Sequence, residues 1–450
     1  MAFLFKYLAR SIFVFALTLS AVSHAASDRP LGWEEQSPPD LKSALQALLA
    51  TPKNLHDTPF GESELAGVLK DEDGRILPEF RVPVGMEASV FFWLKIYGVY
   101  SSQQALIYDR NHPEIVYEAL DFRELARTSR NAIVYEILSK RKTEKALALY
   151  RTAFSVLSKN PRKKNLTREE QIVVDATRGL QHRHSFKELG STVRVQTGQR
   201  DQVIRGILAS DPFMPKMESI FDQLAVPREL LRITLVESSF NLRAVSTAGA
   251  AGVWQFIPTS AREYMMIDPR SSIDERLSPL KSTVAAAKLL KRNYRMLKSW
   301  PLAISAYNHG HGKLRRAEGR GANDKNLWRI FSGCPKLADK KINLGYASRS
   351  YFAEFLAMLH AESYRDRLYG GAAPLDVRPI TFVQNTREQT PLEMMMAQGI
   401  SLRDFQEYNP DVRLLNRRLP KGFWFALPGN QDDFAGLWAK SPRKASSRRT

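Results

Sequence analysis

The segments Glu237-Ser238-Ser239-Phe240-Asn241 and Gly249-Ala250-Ala251-Gly252-Val253-Trp254-Gln255-Phe256 carry the pattern that decides the fold of this chain. Pro227 opens an apolar run that ends at Glu237, as in a short helix with proline in its first turn. The two glycines of the second segment permit tight turns and close backbone approach. The sequence therefore predicts a short helix that ends at a carboxyl group and packs beside a glycine-containing loop.

Further short helices are predicted on the C-terminal side of this pair. Ser278-Pro279 is expected to begin a helix that runs to Leu297, and another helix is expected over residues 348–364. Between them, Ala306-Tyr307-Asn308 ends a helix before a glycine-containing turn. We therefore expect a compact, all-helical domain over residues 191–370, within the usual size of a single domain.

The N-terminal part of the chain, residues 26–190, is predicted to be a helical region of unknown role. Its clearest helix is expected over residues 131–157, where apolar residues recur at mixed helical spacing. Thr167 followed by Glu170 has the spacing of a capping box and predicts the start of another helix.

A third unit is predicted over residues 378–430, with the order strand, helix, helix, strand. The strands are expected at residues 380–383 and 423–428, and the helices at residues 391–397 and 401–408. The last stretch, residues 431–450, is rich in Ser, Arg and Lys and is expected to be disordered. The predicted fold class is thus mainly α, with a small α+β module near the C-terminus.

The composition indicates a basic protein with an anionic partner. The 450 residues carry a formal net charge of +19, with ordinary hydrophobic (44%) and charged (25%) fractions. Such a charge favours nucleic acid, an anionic membrane face or an anionic cell wall as a partner. The single cysteine, Cys334, excludes an intramolecular disulfide, so a packed core must hold the fold.

The first 25 residues have the features of a secretory signal peptide. Lys6 and Arg10 precede a short apolar run at residues 11–22, and Ser23-His24-Ala25 supplies small residues for cleavage. The alternative is an uncleaved anchor, which the short run does not favour. No cysteine follows the run for lipid attachment. We therefore expect an exported, periplasmic protein; peripheral outer-membrane or wall association and secretion stay open, and export argues against nucleic acid.

Glu237 is the candidate acid/base. It shares a helical face with Leu230, Ile233 and Thr234. A carboxyl group on an apolar face loses hydration, which favours its protonated form and suits a general acid. The alternative is a helix-end glutamate that faces water.

Four more side chains are candidates for binding a ligand beside Glu237. Trp254 offers a flat face for stacking on a sugar and Gln255 offers an amide, although Trp254 could equally be a core aromatic. Tyr307 and Asn308 end a helix and could point into a cleft; their alternative is a helix C-terminus with an asparagine cap.

Taken together, these motifs resemble the goose-type lysozyme-like lytic transglycosylases of family 1. Glu-Ser-Ser-Phe, Gly-Ala-Ala-Gly-Val-Trp-Gln-Phe and Ala-Tyr-Asn occur in order and at family-like distances. Val195-Gln196-Thr197-Gly198, Asp274-Glu275-Arg276 and Arg349-Ser350-Tyr351 also look like family landmarks. The likeness covers residues 192–361, and the sequence departs from it at Ala347-Ser348 and at the histidines beside Gly310.

The resemblance implies a lysozyme-like domain that cleaves peptidoglycan between N-acetylmuramic acid and N-acetylglucosamine. It implies that Glu237 is the single catalytic acid/base, with no cofactor and no metal, and that the product is a 1,6-anhydro sugar. By the same resemblance four residues line the glycan cleft and a fifth, Tyr351, lies close to the acid. The four are Ser246, Gln255, Tyr307 and Asn308, and Trp254 is added as a stacking residue.

Two alternatives to this function stay open at the level of sequence. A hydrolase could use the same Glu237 to activate water, which would give a product heavier by one water. A non-catalytic wall-binding protein could retain the fold with an inactive site. The C-terminal unit resembles a degenerate LysM module, which would either bind glycan or only pack against the catalytic domain. The sequence does not define the oligomeric state.

Overall fold

A computed structural model of the chain describes residues 62–318, 336–337, 340–341, 346–370 and 380–429. By internal contacts the chain divides into two compact units. Of the described residues, the first unit contains 205–315 and 380–429, and the second unit contains the rest. The predicted signal peptide, the basic tail and Cys334 lie outside the described residues. The domain boundaries expected from the sequence remain predictions.

The described residues are mainly helical. In chain order the α-helices are α1 (Glu62–Lys70), α2 (Glu87–Gly98), α3 (Arg123–Thr128), α4 (Ala132–Lys159), α5 (Arg168–Thr177), α6 (Phe186–Thr192), α7 (Arg200–Ser210), α8 (Met214–Gln223), α9 (Ile233–Ser238), α10 (Pro258–Ala261), α11 (Pro279–Leu297), α12 (Trp300–His309), α13 (His311–Glu318), α14 (Tyr346–Ser363), α15 (Arg365–Tyr369), α16 (Pro391–Gln398) and α17 (Leu402–Tyr408). Short 3-10 helices occupy Pro78–Phe80, Arg228–Arg232 and Glu275–Leu277. Within the described ranges, no helix has the length and apolar character that crossing a bilayer requires.

The strands are short and pair antiparallel. They are β1 (Gln104–Asp109), β2 (Val116–Asp121), β3 (Val193–Thr197), β4 (Ile267–Asp268), β5 (Ile273–Asp274), β6 (Lys336–Leu337), β7 (Lys340–Lys341), β8 (Ile380–Gln384) and β9 (Trp424–Pro428). One sheet has the order β2-β1-β3, and the remaining strands form two-stranded pairs.

Local capping signals located several helices correctly. Ser278 caps α11 by accepting a hydrogen bond from the backbone N–H of Lys281, and α11 ends at Leu297 as predicted. The helix expected over residues 131–157 from its apolar spacing is also present as α4, and Asn131 caps it in the same way. Thr167 and Glu170 form the predicted reciprocal capping box at the start of α5. The starts of α11 and α5 could be predicted because each cap and its partner lie within one turn of each other in the sequence.

The N-terminal region is not wholly helical, which corrects the prediction for residues 26–190. β1 lies in the middle of a three-stranded sheet and all six of its residues are buried. A short, continuously apolar run cannot be assigned to a strand rather than a buried helix by periodicity alone. The sheet is also non-local, because Ala105 of β1 pairs with Thr197 of β3.

The strand–helix–helix–strand order predicted for the C-terminal unit is confirmed. β8 and β9 pair antiparallel, with Ile380 opposite Pro428, and α16 and α17 lie between them in the chain. Thr390 forms a capping box at the start of α16, and Gly399 ends that helix in the left-handed conformation. We call residues 380–428 the C-terminal module.

In the second unit, α14 packs against α1 and α2. The side chain of His360, on α14, is 0% exposed. Its Nδ1–H donates to the carbonyl oxygen of Val68 on α1, at 2.8 Å. Burial lowers the pKa of His360, because the charged imidazolium would lose its hydration.

This burial predicts a pH-dependent stability. Because the folded pKa is lowered, the unfolded chain binds the proton more readily, so stability should fall as pH drops below about 6.5. We expect the His360→Asn variant, which keeps a donor for Val68 but cannot titrate, to lose less stability on acidification. Calorimetric melting at neutral and mildly acidic pH measures this. His182→Asn, at an exposed position, is the matched control, and an unchanged acid sensitivity in His360→Asn would contradict the prediction.

Candidate active site

Glu237 is placed by two short helical segments that follow Pro227. The 3-10 helix Arg228–Arg232 leads directly into α9, and Leu230, Ile233 and Thr234 are fully buried on one face. Glu237 is the penultimate residue of α9 and is half-buried. The carboxyl group therefore sits at the edge of a packed helix, where part of its side chain stays accessible.

The chain turns sharply after Glu237. Ser239 and Phe240 both adopt left-handed backbone conformations, with φ of +47° and +56°. Such conformations cost roughly 1–2 kcal/mol for each non-glycine residue. The close approach of α7 adds a constraint, since a Cβ on Gly206 would lie 2.7 Å from the Ser239 carbonyl oxygen. The surrounding fold thus holds the backbone after the acid in a strained conformation, as often occurs at functional sites.

Residues 249–256, here called the glycine loop, are hydrogen-bonded to both neighbouring helices. The Ser238 hydroxyl, at the end of α9, donates to the Val253 carbonyl oxygen at 3.0 Å. The Tyr307 hydroxyl, near the end of α12, donates to the Trp254 carbonyl oxygen at 2.7 Å. The end of α9, the glycine loop and the end of α12 therefore converge at one place.

Tyr307 is electrostatically coupled to Glu237. Burial raises the pKa of the Tyr307 hydroxyl well above its ordinary value, and the negative charge of Glu237 raises it further. The hydroxyl therefore stays protonated at neutral pH and can donate to the glycine loop. The structure thus brings together the predicted acid and one of its predicted cleft residues.

Gln255 and Ser246 shape the loop by local hydrogen bonds. Gln255 has a φ of +47°, and its Nε2 donates to the carbonyl oxygens of Gly252 and Ala244 at 2.8 and 3.3 Å. The Ser246 hydroxyl accepts from the backbone N–H of Ala250 at 3.0 Å. The amide nitrogen of Gln255 is thus used to hold the loop, and the roles of both residues in binding glycan remain predictions.

Trp254 is a core residue, which corrects its assignment as a stacking surface for sugar. The side chain is 0% exposed. Its ring stacks on Phe221 with centroids 5.9 Å apart, and its indole N–H donates to the Thr283 hydroxyl at 2.9 Å. The indole therefore has no free face for a ligand, and its packing anchors the glycine loop in the core.

Arg276, which by sequence only resembles a family landmark, holds the glycine loop in the structure. Its guanidinium pairs with both carboxylate oxygens of Asp274, at 2.9 and 2.8 Å. The same group donates to the carbonyl oxygens of Gly249 and Phe256, at 2.6 and 3.0 Å. The two ends of the glycine loop are thus held by one buried cation. In the sequence, the signal that could have indicated this role is the run of three charged residues, Asp274-Glu275-Arg276, between apolar residues.

The other predicted site residues are placed as follows. Asn308 is half-buried on α12, and its Oδ1 is shielded from solvent with no hydrogen-bond partner among the described residues. Tyr351 is buried on α14 of the second unit, and its place near the acid remains a prediction. His309 and His311, which flank Gly310, are the last residue of α12 and the first residue of α13. Among the described side chains, no group of three potential metal ligands is found.

Comparison with known families assigns the domain that contains this site. Residues 222–328 match the Transglycosylase SLT domain family. The matched stretch contains Glu237, the glycine loop and α12, and it supports the resemblance to family 1 lytic transglycosylases.

Two relatives match a stretch of similar length. Membrane-bound lytic murein transglycosylase D of Escherichia coli strain K12 is 35% identical over 111 residues, which is 24% of each chain. A putative tributyltin chloride resistance protein of Alteromonas sp. strain M-1 is 30% identical over 109 residues, 24% of this chain and 52% of the relative. The match thus spans about a quarter of the first relative and half of the second.

The two glycines of the loop provide a matched pair of variants. Both have positive φ, but a Cβ on Gly252 would lie 1.9 Å from the Arg276 carbonyl oxygen, whereas a Cβ on Gly249 meets nothing within 4 Å. We expect Gly249→Ala to cost about 1 kcal/mol from backbone strain alone. Gly252→Ala should cost roughly 3 kcal/mol or more, because it also clashes with backbone. Chemical denaturation measures both, and equal losses would contradict this account of the loop.

Proposed function

We propose that the chain is a peptidoglycan lytic transglycosylase with Glu237 as its single catalytic acid/base. The observation that carries the proposal is the convergence of α9, the glycine loop and α12 around a half-buried Glu237 that is coupled to Tyr307. The match of residues 222–328 to the Transglycosylase SLT domain supports it. So does the name of the first relative, which describes a murein transglycosylase.

In the proposed reaction, protonated Glu237 donates its proton to the glycosidic oxygen between N-acetylmuramic acid and N-acetylglucosamine. The bond between that oxygen and C1 of the muramoyl sugar breaks, assisted by the acetamido group of the same sugar. The O6 hydroxyl of this sugar then attacks C1 and gives its proton to Glu237, which closes a 1,6-anhydro ring. No water is consumed, and Glu237 ends in its starting protonation state. The scheme needs one carboxyl group, unlike the usual pair in glycosidases.

The structure suits a single acid/base in two respects. The half-buried position of Glu237 at a helix end leaves it accessible to a ligand while reducing its hydration. The hydroxyl of Tyr307, which stays protonated, holds the glycine loop beside the acid. We propose that Ser246, Gln255 and Asn308 contribute polar groups for the glycan; the role of Tyr351 stays a prediction from the sequence resemblance.

We further propose a location in the cell envelope, where peptidoglycan lies. The features of residues 1–25 support export, and the net charge of +19 suits an anionic wall or membrane face. The first relative is named as a membrane-bound enzyme, which is compatible with this location. The strand–helix–helix–strand order of the C-terminal module supports its assignment as LysM-like.

Substitution of the acid tests the proposal. Glu237→Gln keeps the size of the side chain but cannot donate and accept the proton, so it should lower the rate about 1000-fold or more. Clearing of a suspension of purified peptidoglycan measures the rate. The control is Glu229→Gln, which removes a half-buried carboxyl group from the preceding 3-10 helix. A Glu237→Gln variant that clears the suspension as fast as the control would overturn the assignment and leave a non-catalytic role for the glutamate.

A further inference from the structure

The C-terminal module is joined to the helical part of the first unit by backbone pairing at β5. The backbone N–H of Asp274 donates to the carbonyl oxygen of Asp411 at 2.8 Å, and the N–H of Arg413 donates to the Ser272 carbonyl oxygen at 3.0 Å. Ile273 and Val412 form the bridge between these two bonds. The segment around Asp411 thus acts as a third strand beside the short β4–β5 pair.

Side-chain packing reinforces this junction. Ile273 is 2% exposed and belongs to the same apolar cluster as Phe405, Phe423 and Phe425 of the module. A residue of the helical part therefore completes the core of the module. Separating the two would expose apolar surface on both sides, which is unfavourable.

A buried ion pair crosses the same junction. The Nζ of Lys281, on α11, lies 2.6 Å from the Oδ2 of Asp411, and both side chains are 1% exposed. The ammonium group also lies 3.8 Å from the centre of the Phe423 ring and 3.6 Å from the Glu275 carboxylate. Without the Asp411 charge, the buried ammonium of Lys281 would keep only the more distant Glu275 carboxylate, so the pair constrains the position of the module.

The junction leads directly to the glycine loop. The residue whose backbone pairs with Asp411 is Asp274, and its carboxylate holds the guanidinium of Arg276. Arg276 in turn binds the carbonyl oxygens at the two ends of the loop, Gly249 and Phe256. A continuous series of hydrogen bonds therefore runs from the module through β5 to the segment that flanks Glu237.

We propose that the C-terminal module is a fixed support of the active-site loop, and that Lys281 and Asp411 are positioning residues for glycan cleavage. The module then affects the cleavage even of short glycans, which are too short to occupy both the active site and a separate binding site on the module. This inference deepens the proposed function and rests on it only for the activity measurement. An independently tethered glycan-binding module would affect the affinity for polymer alone.

The test compares the full chain with its Asp411→Asn variant, which keeps the shape of the side chain and removes its charge. The control is Glu388→Gln, which removes an exposed carboxylate from the same module. Hydrogen exchange followed by mass spectrometry reports on the backbone amides of residues 244–256. We expect exchange there to rise about tenfold or more in Asp411→Asn, because the pair no longer holds β5, and to stay unchanged in the control.

Kinetics on a soluble tetrasaccharide of alternating N-acetylglucosamine and N-acetylmuramic acid provide the second readout. A higher KM in Asp411→Asn, measured on folded protein, would show altered positioning, which a loss of stability alone does not produce. The exchange result stands even if the tetrasaccharide is not cleaved, so failure of the inference and failure of the proposed function are distinguishable.

Unchanged exchange in residues 244–256 of folded Asp411→Asn would overturn the inference. If this variant does not fold, Lys281→Arg replaces it, because it keeps the charge and alters the geometry of the contact with Asp411. Faster exchange of the loop in Lys281→Arg would support the inference, and wild-type exchange would reject it.

Discussion

The site depends on one buried cation, the guanidinium of Arg276. It is held by both oxygens of Asp274 and binds the carbonyl oxygens of Gly249 and Phe256. Hydrogen bonds to charged groups contribute about 1.5–3 kcal/mol each, and a buried charge without partners would be strongly unfavourable. The two ends of the glycine loop are therefore fixed relative to β5, and the loop presents its carbonyl groups to α9 and α12.

This anchoring explains how strained backbone persists beside the acid. Ser239, Phe240 and Gln255 all have positive φ although none is glycine. The Ser238 hydroxyl and the Tyr307 hydroxyl hold consecutive carbonyl groups of the loop, and the buried side chain of Trp254 anchors the loop in the core. A rigid arrangement of this kind suits general acid catalysis, in which a proton donor must stay within hydrogen-bond reach of the leaving oxygen.

Features with local causes could be predicted from the sequence. Ser278 with Pro279, and Thr167 with Glu170, define helix starts within one turn, and both were located correctly. The short helix before Glu237 was also predicted, although its first turn is a 3-10 helix. The motifs could be linked to one family because several patterns, each weak alone, occur together in the order that is typical of that family.

Features with distant causes could not be predicted. The burial of Trp254 depends on Phe221 and Thr283, which precede and follow it by about thirty residues. β1 pairs with β3 across a long segment of helices, and no periodic pattern reveals such a partner. The hydrogen bonds from Arg276 to the glycine loop could not be predicted for the same reason. Their acceptors are backbone carbonyl groups, which every residue carries, so the sequence does not mark them.

The central claim is that the sugar's own O6 hydroxyl, and not water, completes the reaction at Glu237. The most direct measurement is mass spectrometry of the fragments that the full chain releases from purified peptidoglycan in water labelled with heavy oxygen. The account predicts muramoyl ends that are lighter by one water than reducing ends and that carry no label. Labelled reducing ends as the main product would contradict it and identify the enzyme as a hydrolase.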